Sequence, residues 1–396
     1  MVIKPAKRTN AIEYAVRDVV VVAKQAAAAG KELLYLNIGD PNQFDFMTPL
    51  HMVEAVSQAM LANNNGYSPS DGIPDAVEAI RRQAQRNGIA EPRHVFVTTG
   101  ASEAIEIALT ALAEPGDNVL TPSPGYPLYT AVLAKLNVQN NPYYLDEENG
   151  WQPDVDDIAK KIDDRTRAIV IINPNNPTGS VASKETLTRL CELAIERNIV
   201  VFADEIYDKL LLGDARHHSI GALSDDLCCM TFNGLSKSYL VPGFRIGWGI
   251  ASGPQKQLAG YIEAMQKITR ARLCASHPMQ YAIVPALEGP QDHLDDVRAR
   301  LTRRRDLTVE QLNAIPGISC VPPQGAFYAF PRLALGVADK VFNEGLIREH
   351  GVVCVHGSGF GQKPGTEHIR VVFLPPEEIL ARAYRAIGEY AARYHG

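Results

Sequence analysis

Apolar positions along this chain follow two rhythms. Between about residues 94 and 250, short apolar runs at 94–98, 118–121, 138–144, 167–173, 199–204, 227–233 and 246–251 alternate with segments of helical spacing. Ile105, Ala108, Leu109 and Leu112 recur at i, i+3, i+4 and i+7, as do Leu187, Leu190, Cys191 and Ala194, each set drawing a stripe down one helix face. Short runs alternating with helices are the pattern of a parallel sheet covered on its faces. After Gly253-Pro254 the texture turns helical, through 255–269, 278–287 and 291–313. It then mixes strands at 318–321, 326–330, 352–355 and 368–373 with helices at 339–350 and 376–394.

The prediction is an α/β protein with a mostly parallel central sheet, helices on both faces, and a smaller α+β domain. At 396 residues the chain exceeds the size at which one core keeps growing, so two domains are expected. The large one is drawn over residues 44–288. The small one takes residues 289–396 and an N-terminal arm, 1–43. No repeat or flexible linker separates them, so they should meet through continuous structure.

Composition excludes classes of function. A formal charge of −6 with 21% charged residues gives no nucleic-acid footprint. The arginines at 298, 300, 303, 304 and 305 are offset by Asp292, Asp295, Asp296, Asp306 and Glu310, which reads as a solvated helix face. Six cysteines lack CxxC spacing and sit mostly in apolar runs, which predicts a reducing, cytoplasmic compartment. Met1 to Arg8 does not read as a secretory leader, and no apolar run approaches a membrane span. His217-His218, the one close histidine pair, reads as a surface loop, and no metal site is expected.

The chemistry gathers after strand-like runs. Thr98-Thr99-Gly100-Ala101-Ser102 joins a strand to an amphipathic helix, a turn whose backbone N–H groups and helix dipole favour an anion. Asp204 ends the run 199–203, at the edge of the sheet where ligands of open α/β folds gather. Lys237 lies in Asn233-Gly234-Leu235-Ser236-Lys237, with Arg245 eight positions on. Each alone has an ordinary reading as turn, helix cap, solvated lysine or surface ion pair. Jointly they are what pyridoxal 5′-phosphate requires: an amine to hold the aldehyde, a guanidinium for phosphate, and a carboxylate to keep the pyridine nitrogen protonated. Asn176, in Asn173-Pro174-Asn175-Asn176-Pro177-Thr178-Gly179, and Tyr207 would donate to the ring oxygen, while Tyr126 would stack on the ring face. Gly357-Ser358-Gly359-Phe360-Gly361 has the wrong spacing for a dinucleotide loop.

In these motifs, over essentially its whole length, the chain resembles the fold type I, pyridoxal-phosphate-dependent aminotransferases of class I and II. The resemblance implies a phosphate turn at Gly100, Ala101 and Ser102, a stacking ring at Tyr126 and a phosphate arginine at Arg245. It implies a pyridine partner at Asp204, a ring-oxygen donor at Tyr207 and the cofactor lysine at Lys237. It further implies that Arg370, in His368-Ile369-Arg370-Val371-Val372-Phe373, holds the substrate α-carboxylate and that Gly39 closes over the substrate. Tyr67 matches the tyrosine that reaches the phosphate of a neighbouring subunit, which implies a homodimer with a shared site. One departure stands out: the serine that aspartate aminotransferases often place three residues before the lysine is here Gly234, with Ser236 nearby instead. Arg272 is a candidate for a substrate side-chain contact. Among subgroups the motifs are most similar to prokaryotic alanine aminotransferases, implying exchange of glutamate and pyruvate with 2-oxoglutarate and alanine. An aminotransferase for aromatic, branched or many amino acids, and a lyase on the same cofactor, remain open alternatives. So does a cofactor-binding regulator, although the 38 residues before Gly39 are few for an added DNA-binding domain.

Overall fold

The computed structural model describes residues 3–12 and 15–394; Met1 and Val2, which open the segment read above as carrying no leader, lie outside them. Its centre is an eight-stranded sheet of β1 (Pro92–Thr99), β2 (Asn118–Ser123), β3 (Gln139–Asp146), β4 (Gln152–Pro153), β5 (Thr166–Ile172), β6 (Val200–Asp204), β7 (Cys229–Gly234) and β8 (Ile246–Ser252). The spatial order is β1-β8-β7-β6-β5-β2-β3-β4. Two strands depart from the parallel pattern. β4 is a short edge strand antiparallel to β3, and β8 runs antiparallel to both β1 and β7. The reason at β8 is length: the return 235–245 that carries Lys237 is shorter than the crossover a parallel neighbour needs.

Both faces of the sheet are apolar, which is why the runs read as continuous. In β5, Ala168, Val170 and Ile172 pack on one side with α1 (Ala101–Leu112). Ile169 and Ile171 pack on the other with α2 (Lys184–Glu196). That is the period of two expected when successive side chains leave opposite faces. α3 (Gln255–Arg272) lies beside α1 through Leu258, Ile262 and Met265. Ser183 caps α2, its hydroxyl accepting from Thr186 N–H at 3.0 Å.

The C-terminal part stacks α4 (Asp292–Asn313), α5 (Asp339–His350) and α6 (Glu377–Ala391) around β9 (Tyr328–Ala329), β10 (Val355–His356) and β11 (Ile369–Val372), ordered β9-β11-β10. Leu301, Leu312, Phe342, Val371, Tyr384 and Ile387 form its core, and Leu36, Tyr207 and Leu240 join the same cluster from elsewhere in the chain. Three expectations change here. The strand expected at 352–355 is two: Val352–Val353 pairs in parallel with Leu34–Tyr35, and β10 pairs with β11, the switch falling at Cys354, whose carbonyl accepts from Asn343 Nδ2 at 3.2 Å. The helix expected at 278–287 is broken into His277–Gln280 and Ile283–Glu288, so that Pro285 sits in a first turn, where no donor is required. Arg304 is not on a solvated face. It is 2% exposed, donates to the Leu374 carbonyl and pairs with Asp45 at 2.6 Å, because it lies on the inner stripe of α4. No described helix is long and apolar enough to cross a membrane.

Candidate active site

A cleft of about 590 Å³ opens where the sheet's strand ends face the C-terminal part, and it is lined by Gly39, Ala101, Ser102, Tyr126, Asn176, Asp204, Tyr207, Ser236, Lys237, Arg245, Tyr328 and Arg370 among others. Every site residue named from the sequence lines it except Gly100, Tyr67 and Arg272. Gly100 stands immediately behind the lining, at the cap of α1. Tyr67 is 83% exposed on the exterior.

The anion end is built from backbone. Gly100 holds φ +74°, and a Cβ there would lie 2.5 Å from Arg245 Nη2, so only glycine satisfies both the turn and the guanidinium against it. Gly247 on β8 lets this turn approach the sheet, since its Cβ would come within 2.1 Å of the Ala101 nitrogen. Arg245 itself sits in the left-handed region at φ 52°, unusual for a long side chain, with its Nη1 donating to the Pro242 carbonyl at 3.3 Å. First-turn N–H groups of α1 and a guanidinium thus converge on one spot. Gly234 has no room for a side chain, its Cβ falling 2.7 Å from the Ile246 carbonyl oxygen, which leaves Ser236 as the cleft hydroxyl nearest in sequence to Lys237.

Asp204, the last residue of β6, is 4% exposed. Its carboxylate accepts only long bonds, from Tyr129 Oη at 3.3 Å and Ile206 N–H at 3.4 Å. A buried carboxylate with about four acceptor sites is under-satisfied by those two and suits a further N–H donor. Burial pushes it up to about 6, against the lowering effect of the two bonds and of the Lys237 charge. Lys237 Nζ donates to the Gly39 carbonyl at 2.7 Å. Burial lowers the amine to about 8, with the Arg370 and Arg245 charges adding to the effect while Asp40 and Asp204 oppose it. A lysine so placed is a usable base near neutral pH.

Arg370 on β11 closes the other end. It is 2% exposed, its guanidinium lying 4.7 Å from the Tyr328 ring and 4.6 Å from the Phe360 ring. Nη1 donates to Asn176 Oδ1 at 3.1 Å and Nη2 to the Asn37 carbonyl at 2.5 Å. Engaging that oxygen turns the N–H₂ end of Asn176 into its donor end. The glycine-rich segment set aside as a dinucleotide loop is a 3-10 turn, Gly357–Phe360, held by Asp339, which accepts from Ser358 N–H at 2.6 Å. Its work is to present Phe360, whose carbonyl also accepts from Gly125 N–H at 2.8 Å.

Residues 31–387 match the family described as aminotransferase class I and II. The chain belongs to that family. This aminotransferase is 40% identical to glutamate-pyruvate aminotransferase AlaA of Escherichia coli (strain K12) over 404 residues, 99% of each chain. It is 42% identical to alanine aminotransferase of Mycobacterium tuberculosis (strain ATCC 25618 / H37Rv) over 383 residues, 94% of this chain and 88% of the relative. Among solved structures, an alanine aminotransferase from Pyrococcus furiosus superposes with a TM-score of 0.95 at 41% identity, covering 98% of this chain and all of that one.

Sequence reasoning did not find everything the aminotransferase cleft uses. Tyr129, Tyr328, Phe360 and the Asn37 carbonyl went unmarked as cleft groups, because an aromatic or a backbone group carries no local sign of its partner, whether in an apolar run as at Tyr328 or in the glycine-rich turn that holds Phe360. Arg272 is engaged elsewhere: it pairs with Glu103 at 3.2 Å and donates to the Ser70 and Val97 carbonyls at 3.1 Å, outside the cleft lining. His217 is largely buried, not on an open surface loop, with Nε2 at 3.9 Å from Glu205.

Proposed function

We propose that this aminotransferase carries pyridoxal 5′-phosphate and exchanges an amino group between alanine or glutamate and the matching 2-oxo acid, 2-oxoglutarate or pyruvate. One observation carries the reading. A half-buried lysine, its amine lowered to about 8, shares a cleft with a buried aspartate raised to about 6, with a guanidinium at either end. When bound, the cofactor supplies the aldehyde that takes up the amino group and the sink for the electron pair left when the α-proton departs.

The chain's own residues do the rest. The N-terminus of α1 at Gly100, Ala101 and Ser102, with Ser236 and Arg245, binds the phosphate. Asp204 would accept from the pyridinium N–H and Tyr126 would stack on the ring, while Tyr207 and the Asn176 amide would donate to the ring oxygen. Lys237 Nζ would hold the cofactor through its aldehyde and, once displaced by the substrate's amine, the freed amine would serve as the base that holds and returns the α-proton. Arg370, a fork held between two rings, would grip the α-carboxylate and fix the orientation of the substrate's α carbon. Gly39 closes over the substrate and offers Lys237 a carbonyl acceptor.

A homodimer with a shared site fits the exposed Tyr67. It also fits the apolar side chains of Met47, Leu50, Leu61 and Leu273, each more than half exposed in the single chain. We assign residues 44–288 to the cofactor-binding domain and 1–43 with 289–396 to the small domain, and a cytoplasmic location. Alanine as donor rests on the relatives' names. The test is a panel of amino donors and 2-oxo acids with half-reactions followed by visible absorbance. Ping-pong exchange strongest with alanine, glutamate and their oxo acids is expected. Amino-acid consumption without any added oxo acid would mark a lyase instead.

A further inference from the structure

Tyr328 touches three parts of the cleft at once. Its hydroxyl lies 3.0 Å from the Tyr207 hydroxyl, and its ring lies against the Arg370 guanidinium at 4.7 Å. The same hydroxyl abuts Gly39, where a Cβ would come within 2.1 Å of it, and the Gly39 carbonyl accepts from Lys237. Both tyrosines are buried, at 2% and 3% exposure, so neither hydroxyl turns to bulk water for a partner.

A phenol has one proton. If Tyr207 spends it on Tyr328, it has none to donate into the cleft; if Tyr328 donates instead, the Tyr207 proton is free to face the cofactor's ring oxygen. Geometry alone allows either direction. The neighbours choose between them. Tyr328 has a cation on its ring face, which strengthens it as a donor, whereas burial first, then Tyr328 itself, Tyr126 and the Asp204 carboxylate all hold Tyr207 to its proton, which makes it the weaker donor of the pair. Lys237 also faces Tyr207, 6.0 Å from its ring.

The geometry points to Tyr328 as a positioning residue that donates to Tyr207 and so aims the Tyr207 proton into the cleft. This inference rests on the cofactor reading above. It acts through Tyr207, which distinguishes it from a packing role: phenylalanine at 328 keeps the ring over Arg370 and removes only the hydroxyl.

The experiment is a pH titration of the visible absorbance of the cofactor-loaded protein, with loss of cofactor on dialysis as a second readout. Wild type, Tyr328→Phe, Tyr207→Phe and the double variant are compared. Weaker donation to the ring oxygen holds the chromophore's proton to higher pH, so Tyr328→Phe is expected to raise the midpoint by about half a unit to one unit. Tyr207→Phe raises it further and the double variant matches Tyr207→Phe alone. Dialysis should strip Tyr328→Phe faster than wild type, and substrate KM should stay near wild type because the Arg370 ring contact survives. A midpoint unchanged in Tyr328→Phe overturns the assignment, and so does an added shift in the double variant. Absence of any visible band in the wild-type protein loaded with cofactor overturns this inference together with the reading it rests on.

Discussion

The two ends of the cleft are built differently. At the sheet end, each group stands at a strand terminus or a few residues from one: Gly100 after β1, Tyr126 after β2, Asn176 after β5, Asp204 closing β6, Lys237 after β7 and Arg245 just before β8. At the other end, Arg370 is held by a carbonyl 333 positions away in sequence, an amide 194 away, and two rings from separate segments. The sheet end is a local device repeated along one edge, and rigidity comes with the strands. The arginine end is assembled by tertiary contact. The first should therefore carry the chemistry and the second the orientation of substrate, and this division can be attacked by mutation.

The largest effect should come from Lys237→Ala, which removes the base and the anchor together; turnover is expected to fall by about 10⁵-fold or more. Borohydride reduction followed by mass measurement of the protein checks it, since the wild type should gain the reduced cofactor and the variant should not. Next in size is Asp204→Asn, expected to lower kcat by about 10³-fold with little change in KM, as loss of a charge felt mainly in the transition state should. Stopped-flow half-reactions would read it directly. If KM rose and kcat held, Asp204 would belong to binding, and the contrast between the two ends would collapse.

Arg370→Leu tests the other end. A fall in kcat/KM of about 10²-fold, expressed mostly in KM, is expected from losing a charge-assisted fork. Arg370→Lys should recover only part of it, because an ammonium cannot make both bonds. Steady-state kinetics over a range of amino-acid concentrations decides. Smaller still is Gly100→Ala, where the added methyl collides with Arg245 at positive φ. Weakening of cofactor binding by about tenfold is expected, read by fluorescence titration of the stripped protein.

The smallest effect concerns stability without cofactor. Lys237 has a folded value of about 8, below its ordinary 10.5, so burying the ammonium is a penalty present in full below pH 8 and relieved as the pH rises toward 10.5. Lys237→Met should thus stabilise the cofactor-free chain at pH 7 by at most about 3 kcal/mol, and the advantage should shrink above pH 8. Urea unfolding at pH 7 and pH 10 measures the sign. Asp204 works the opposite way: its raised value makes the native chain lose stability as the pH climbs from about 4 to about 6.

Much of the sheet end was legible because strands of near-continuous Val, Ile and Phe announce themselves, and the polar residue after each one is conspicuous by contrast. Asp204 after Ile199-Val200-Val201-Phe202-Ala203 is the plainest case. Arg370 was named through resemblance alone; nothing in Ile369-Arg370-Val371 says that rings from positions 328 and 360 enclose it. The direction of β8 was equally silent, since an apolar run reads the same in either sense. The arginines of α4 read as one solvated set, yet Arg304 points inward, because a stripe of charge does not say which turn meets Asp45.

Sequence by itself determined the alternation of strands and helices, the order of the polar strand-end residues and the membership of the family, all of which depend on neighbours within a few positions. Only the tertiary structure decided that Lys237 is buried enough to lose its proton near pH 8, that Arg272 is spent on Glu103 and two carbonyls, and that Tyr328 bridges Tyr207 to Arg370. Desolvation and charge are sums over everything within several ångströms, and those neighbours come from segments hundreds of residues apart.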